Sequence, residues 1–239
     1  MLFQEKYARY AQKSYLCGMG ITDRTDSSAA EQIARMFLEI GAVKINSQTP
    51  YTWASGWKSP IYCDGRISLS YPPVRSYIKE ELVTLIDQRF SEAEVIAGVA
   101  TAGIPQGVLA ADQLDLPFMY VRSKPKAHGM TNLVEGEVVK GQKVIVVEDL
   151  VSTGQSSLKA IAALELMGLE VIGLISVFTY GFDQAREAFA RASVPFVSLC
   201  NYDALIREAV EQNLVSIKEL SSLRDWRENP ETWGQETSS

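Results

Sequence analysis

The chain has little of several chemically loaded residues. It contains one histidine and three cysteines among 239 residues, and its 23 Lys and Arg are outnumbered by 29 Asp and Glu. Cys17, Cys63 and Cys200 are odd in number, widely spaced and without a partnering His, so they suggest neither a disulfide framework nor a zinc site. The formal charge of −6 argues against non-specific nucleic-acid binding, which needs clustered Lys and Arg to displace counterions from phosphates. Any basic site must therefore be local. No run of about 18 apolar residues occurs, and the first ten residues lack the apolar stretch of a signal peptide. The expectation is a cytoplasmic protein with no membrane or nucleic-acid partner.

What is present suits a packed α/β enzyme. The composition is 46% hydrophobic and 22% charged, too apolar for disorder, and the length is ample for one large core. Residues 1–27 read as an amphipathic helical extension, with Leu2, Phe3, Tyr7, Tyr10 and Tyr15 among Lys6, Arg9 and Lys13. Residues 28–227 read as the main domain, and 228–239 as a polar tail.

Within that domain Ile33, Phe37 and Ile40 recur at helical spacing before Gly41. From Tyr51 to Leu69 aromatic and β-branched residues broken by Gly56, Pro60 and Gly65 predict short strands in a hairpin. Pro73 opens a helix, and Val95–Ala100 reads as a buried strand. Alternation then continues with a helix at 104–113, strands at 117–121 and 143–147, a helix at 156–167, a strand at 170–178, a helix at 183–192 and a strand at 195–199. Helices at 202–212 and 216–226 close the pattern. Such alternation implies an open, mostly parallel sheet with helices on both faces.

Ligands of such sheets gather at the carboxyl ends of strands, so the residues after Val144-Ile-Val-Val147 are informative. Glu148-Asp149 comes next, an acid pair costly to bury and suited to ribose hydroxyls or a cation. In Leu150-Val-Ser-Thr-Gly-Gln-Ser156, Gly154 permits a tight turn, and the hydroxyls of Ser152, Thr153 and Ser156 sit beside amides at a helix start, a place that favours phosphate. The plain alternative is a solvated acid pair followed by Ser or Thr capping a helix. Neither Gly-x-x-x-x-Gly-Lys-[Ser/Thr] nor Gly-x-Gly-x-x-Gly occurs, which disfavours a P-loop or a dinucleotide fold.

Three further segments stand out. The single histidine, His128, lies in Tyr120-Val-Arg-Ser-Lys-Pro-Lys-Ala-His-Gly129, where Arg122, Lys126 and His128 could meet a leaving pyrophosphate; a solvated loop is the bland alternative. The stretch from Ser123 to Gly136, poor in apolar residues, suits a mobile lid that excludes water. Ala97-Gly-Val-Ala-Thr-Ala-Gly-Ile-Pro105 places a small-residue turn at another strand end, where amides can meet an anion or simply join strand to helix. In Tyr51–Arg66, planar aromatics could hold a flat ring and amides near Lys58–Tyr62 its polar edge, although an aromatic such as Trp53 could equally face the core.

Taken together, the strand, acid pair, hydroxyl-glycine turn and helix at 144–156 resemble the phosphoribosyl pyrophosphate motif of type I phosphoribosyltransferases. Arg122-Ser-Lys-Pro-Lys-Ala-His-Gly129 and the 51–66 segment are similar to the catalytic loop and hood hairpin of the orotate phosphoribosyltransferases. The resemblance spans about residues 28–200 and implies a type I phosphoribosyltransferase-like fold with an N-terminal hood. It implies that Glu148 and Asp149 hold the ribose hydroxyls, that Leu150, Val151, Ser152, Thr153, Gly154, Gln155 and Ser156 wrap the 5-phosphate, and that Thr101, Ala102 and Gly103 form the pyrophosphate loop. Lys126, His128 and Arg122 would be catalytic. Orotate would meet Ser152, Lys58, Ile61, Tyr62 and Tyr180, with Mg²⁺ held mainly by the substrate and a homodimer sharing loop 122–136 across its interface.

Some family members carry Lys at the positions of Ala54 and Ala102, and Arg at that of Tyr180, so Lys58 is the candidate counter-charge for a carboxylated base. The rival readings are a purine-type transferase, which should lack the 122–129 pattern, and a non-catalytic regulator that binds phosphoribosyl pyrophosphate and nucleic acid. Residues 1–27 carry four Lys or Arg against three acids and no clear helix-turn-helix, which weighs against the regulator.

Overall fold

The computed structural model describes residues 28–53, 55–124 and 133–234. The expected N-terminal extension, and Lys126 and His128, lie outside the described residues. The chain forms two compact units, one from 1–72 with 203–239, the other from 73–202. Among the described residues no helix is long and apolar enough to cross a membrane.

In the first unit helix α1 (Ala29–Ile40) begins with a capping box in which the Ser28 hydroxyl accepts from the Glu31 amide and the Glu31 carboxylate accepts from the Ser28 amide. It ends at Gly41, whose φ of 73° only glycine adopts cheaply. Ile33, Phe37 and Ile40 form its buried stripe, as their spacing predicts. Strands β1 (Val43–Ile45), β2 (Tyr51–Thr52), β3 (Lys58–Ser59) and β4 (Ile61–Cys63) follow. The region expected as one hairpin divides: β2 pairs with β3, β4 pairs antiparallel with β1, a strand the sequence pattern does not announce, and Gly65–Ser70 winds into a 3-10 helix. Asp64 starts that turn by accepting from the Arg66 amide, a local bond that competes with extended pairing.

The second unit is built on a six-stranded sheet. Its elements are α2 (Pro72–Arg89), β5 (Val95–Val99), α3 (Gly103–Leu114), β6 (Phe118–Val121), β7 (Val134–Glu135), β8 (Lys143–Val151), α4 (Gln155–Leu166), β9 (Glu170–Thr179), α5 (Asp183–Arg191) and β10 (Phe196–Asn201). The strand order is β10-β9-β8-β5-β6-β7, parallel throughout except for the edge pair β6 and β7. Helices cover both faces of a parallel sheet, so Val144 to Val147 are all fully buried and read as an unbroken apolar run. The α/β class and mostly parallel sheet are as the alternation implies. Strand β7 has no counterpart in the sequence pattern, because two residues of an edge strand leave almost no periodic signal.

The first unit closes with α6 (Tyr202–Glu211) and α7 (Ile217–Glu228). Beyond α7 the chain continues in hydrogen-bonded turns, the Trp233 amide donating to the Asn229 carbonyl at 3.0 Å, and Pro230 is buried.

Candidate functional site

Parallel pairing brings three loops together at the carboxyl edge of the sheet. Gly98 pairs with Val147 and Val99 with Val121, so the turns after β5 and β6 leave the sheet beside the acid pair of β8. The Ala100 amide donates to the Val121 carbonyl at 2.8 Å, tying the first two loops to each other. Gly103 fastens the first loop to β8. A Cβ there would lie 2.5 Å from the Val147 oxygen and 3.2 Å from the Glu148 Cα, contacts that no larger residue could make without backbone movement. Thr101 is exposed and Ala102 half-buried in front of that contact.

The acid pair differs from expectation. The sequence pattern puts it at the strand's end, solvated or facing a ligand, but β8 runs on to Val151 and Glu148 pairs with Ser176 inside it. Glu148 is 7% exposed, whereas Asp149 is half-buried. Burial, reinforced by the charge of Asp149, pushes the Glu148 carboxyl up to about 9. At neutral pH Glu148 therefore keeps its proton. The fully buried Ser157 donates its hydroxyl to Glu148 Oε2 at 3.5 Å. Ser157 is one residue beyond the motif read from sequence, and its burial is the signal that a linear reading lacks.

The turn after β8 is anchored by β9. The Thr179 hydroxyl donates to the Val151 carbonyl at 3.0 Å and accepts from the Gly181 amide at 3.1 Å. Gly154, with φ of 78°, is the cap residue of α4, so neither Ser152 nor Thr153 fills the capping role of the plain alternative. Ser152 and Thr153 are half-buried, Gln155 and Ser156 exposed, and the first-turn amides of α4 stand at a positive helix end. Leu150 is half-buried, and Val151 is 1% exposed.

Arg122 follows β6 and is engaged within the protein. Its guanidinium pairs with Glu135 at 3.2 Å, and its amide donates to the Leu133 carbonyl at 2.8 Å. Tyr180 is 2% exposed, its ring edge-on to Phe178 at 5.2 Å and stacked on Phe182 at 5.6 Å. Its ring is thus part of the packing behind the turn.

In the first unit the hood residues are ordered by their own hydrogen bonds. Lys58 Nζ donates to the Thr52 hydroxyl at 2.9 Å across the β2–β3 pair. Ile61 is fully buried, and its carbonyl accepts both the Trp53 indole N–H at 3.2 Å and the Ser59 hydroxyl at 2.7 Å. Tyr62, 41% exposed, lies 5.7 Å from Tyr51. Trp53 therefore packs within the hood, in keeping with the core-facing alternative.

A family model for the phosphoribosyl transferase domain matches residues 75–210. The orotate phosphoribosyltransferase of Cytophaga hutchinsonii is 52% identical over 203 residues, covering 85% of this chain and 97% of that protein. The chain belongs to the orotate phosphoribosyltransferase family.

A solved orotate phosphoribosyltransferase from Aeropyrum pernix shares the fold with a TM-score of 0.67 at 30% identity, over 77% of this chain and 99% of that one. The UMP synthase of Leishmania donovani shares the fold with a TM-score of 0.71 at 24% identity, over 84% of this chain; this chain spans 42% of that longer protein. The family uses phosphoribosyl pyrophosphate with Mg²⁺. Among the described residues no cluster of three or more His, Cys, Asp or Glu forms a metal cage. Glu148 and Asp149 supply hard carboxylate oxygens, which fit Mg²⁺ arriving on a pyrophosphate-bearing substrate.

Proposed function

We propose that this protein joins orotate to phosphoribosyl pyrophosphate, releasing pyrophosphate and orotidine 5′-monophosphate, with the carboxyl edge of the sheet as its phosphoribosyl site. The observation that carries the residue assignment is Gly103 seated against Val147 and Glu148, which sets a turn of small residues beside the acid pair.

In this reading Asp149 and Glu148 hold the ribose 2′- and 3′-hydroxyls, and Glu148, whose carboxyl burial pushes up to about 9 in the free protein, gives its proton to solvent as the substrate and its Mg²⁺ arrive. The amides of residues 152–156 and the dipole of α4 hold the 5-phosphate. The backbone of Thr101, Ala102 and Gly103 receives the pyrophosphate. Arg122, Lys126 and His128 neutralise charge that grows on the leaving group as the C1–O bond breaks. Mg²⁺, when bound with the substrate near Asp149, neutralises pyrophosphate charge. Segment 123–136, whose last residues are tied into the sheet as β7, excludes water, so that the electron-poor C1 meets the orotate nitrogen rather than water. That loop is shared across a homodimer interface, and the enzyme works in the cytoplasm.

Orotate is held by Lys58 and Tyr62, the exposed members of the hood set, with Ile61 fixing the strand of Tyr62. Tyr180 supports the turn containing Ser152, its amide donating to the Val151 carbonyl at 3.3 Å. The test is loss of orotate absorbance with phosphoribosyl pyrophosphate and Mg²⁺, beside hypoxanthine and xanthine. Turnover of orotate alone is expected, and pyrophosphate release with a purine instead would overturn the assignment.

A further inference from the structure

The family model spans residues 75–210, and an anchor of the hood lies beyond its end. Trp226 on α7 is fully buried, and its indole N–H donates to the Lys58 carbonyl at 3.0 Å. Its ring stands edge-on to Trp53 at 5.7 Å, and Trp53 in turn donates to the Ile61 carbonyl and stacks near Trp57 at 6.4 Å. One indole thus grips β3 directly and β4 through a second indole. The chain after α7 returns to the same place, since a Cβ on Gly234 would sit 3.3 Å from the Lys58 Cβ.

Helix α7 is itself held firmly. Ser216 and Glu219 form a capping box, Glu219 also accepts the Ser47 hydroxyl at 2.8 Å, and Arg227 pairs with Asp203 at 3.3 Å. A buried donor on a helix tied by these bonds is what a strand of two residues lacks by itself.

We infer that Trp226 is a positioning residue for the base: its N–H fixes the Lys58 backbone, and through it the exposed Lys58 and Tyr62 side chains that meet orotate. The inference rests on the proposed assignment of those two residues to orotate. Trp226→Phe keeps an aromatic ring and removes the donor. In the full-length protein it should raise KM for orotate about fivefold, the worth of one hydrogen bond, and leave KM for phosphoribosyl pyrophosphate within about twofold.

A residue that only stabilised the fold would lower the melting temperature with both KM values unchanged, or would move both alike; either result overturns the inference. Wild-type protein that fails to turn over orotate defeats the functional assignment itself, whereas active wild type with an unchanged variant defeats only the role of Trp226. Hydrogen exchange of the wild type with orotidine 5′-monophosphate decides the matter even if the variant does not fold. Protection should appear in 217–228 together with 51–63, and protection of 51–63 alone overturns the inference.

Discussion

The Ser157 hydroxyl reaches Glu148 Oε2 at 3.5 Å in a site where both side chains are buried, so a carboxyl on the central strand is held by the first turn of the following helix. That bond favours the charged form, but burial and Asp149 outweigh it, and the carboxyl keeps its proton.

Stability should therefore depend on pH through Glu148. The folded carboxyl binds its proton more tightly than an unfolded one. Its contribution is complete below about pH 4.5 and is lost as pH rises to about 9. Glu148→Gln removes this loss, so at pH 8 it should melt above the wild type, by roughly 2–4 °C for each kcal/mol recovered. Turnover should fall at the same time. Parallel melting curves from pH 5 to 9 for the two proteins would sink the assignment of the proton.

Substrate binding should also move that proton. If the acid pair receives ribose and Mg²⁺, the added positive charge favours ionised Glu148 and releases up to about one proton at pH 8. Calorimetry of phosphoribosyl pyrophosphate with Mg²⁺ in two buffers of different ionisation enthalpy measures this. Identical heats in both buffers would count against it.

Gly103→Ala tests the junction of the Thr101–Gly103 turn with β8. The new methyl meets backbone 2.5 Å away and cannot be absorbed by a rotamer change. A stability loss of about 1–3 kcal/mol is expected, with a raised KM for phosphoribosyl pyrophosphate and little change for orotate. Denaturant unfolding with steady-state kinetics reads both, and a silent substitution contradicts the packing described.

Lys126→Ala carries the sequence-based claim for the basic loop. Turnover should fall by roughly 10²-fold or more if the ammonium neutralises the leaving group. The melting temperature should not change. Unchanged kcat with orotate would remove Lys126 from the mechanism.

Lys58→Met keeps the side chain's length and removes its charge. KM for orotate should rise about tenfold, the order expected for a charge-assisted bond, while KM for phosphoribosyl pyrophosphate holds. An equal affinity for orotate in the variant would leave the base carboxylate to some other group.

The sequence by itself determined the alternation of helices and strands, because 3.6-residue periodicity in α1 and the unbroken apolar run of β8 are local consequences of which faces are buried. It also determined the residue types of the turn after β8, since Gly154 and its neighbouring hydroxyls are chemically legible wherever they fall. Only the tertiary structure decided the rest. Strand β1 takes β4 away from the expected hairpin because pairing energy comes from a distant segment, which no local window contains. Glu148 is buried because β8 runs on beside β9 with Gly103 and Ser157 packed against it, and the resulting proton depends on a dielectric set by those neighbours. Ser157 and Trp226 matter through partners 9 and 168 residues away. Such contacts are made by the folded chain and have no periodicity to announce them.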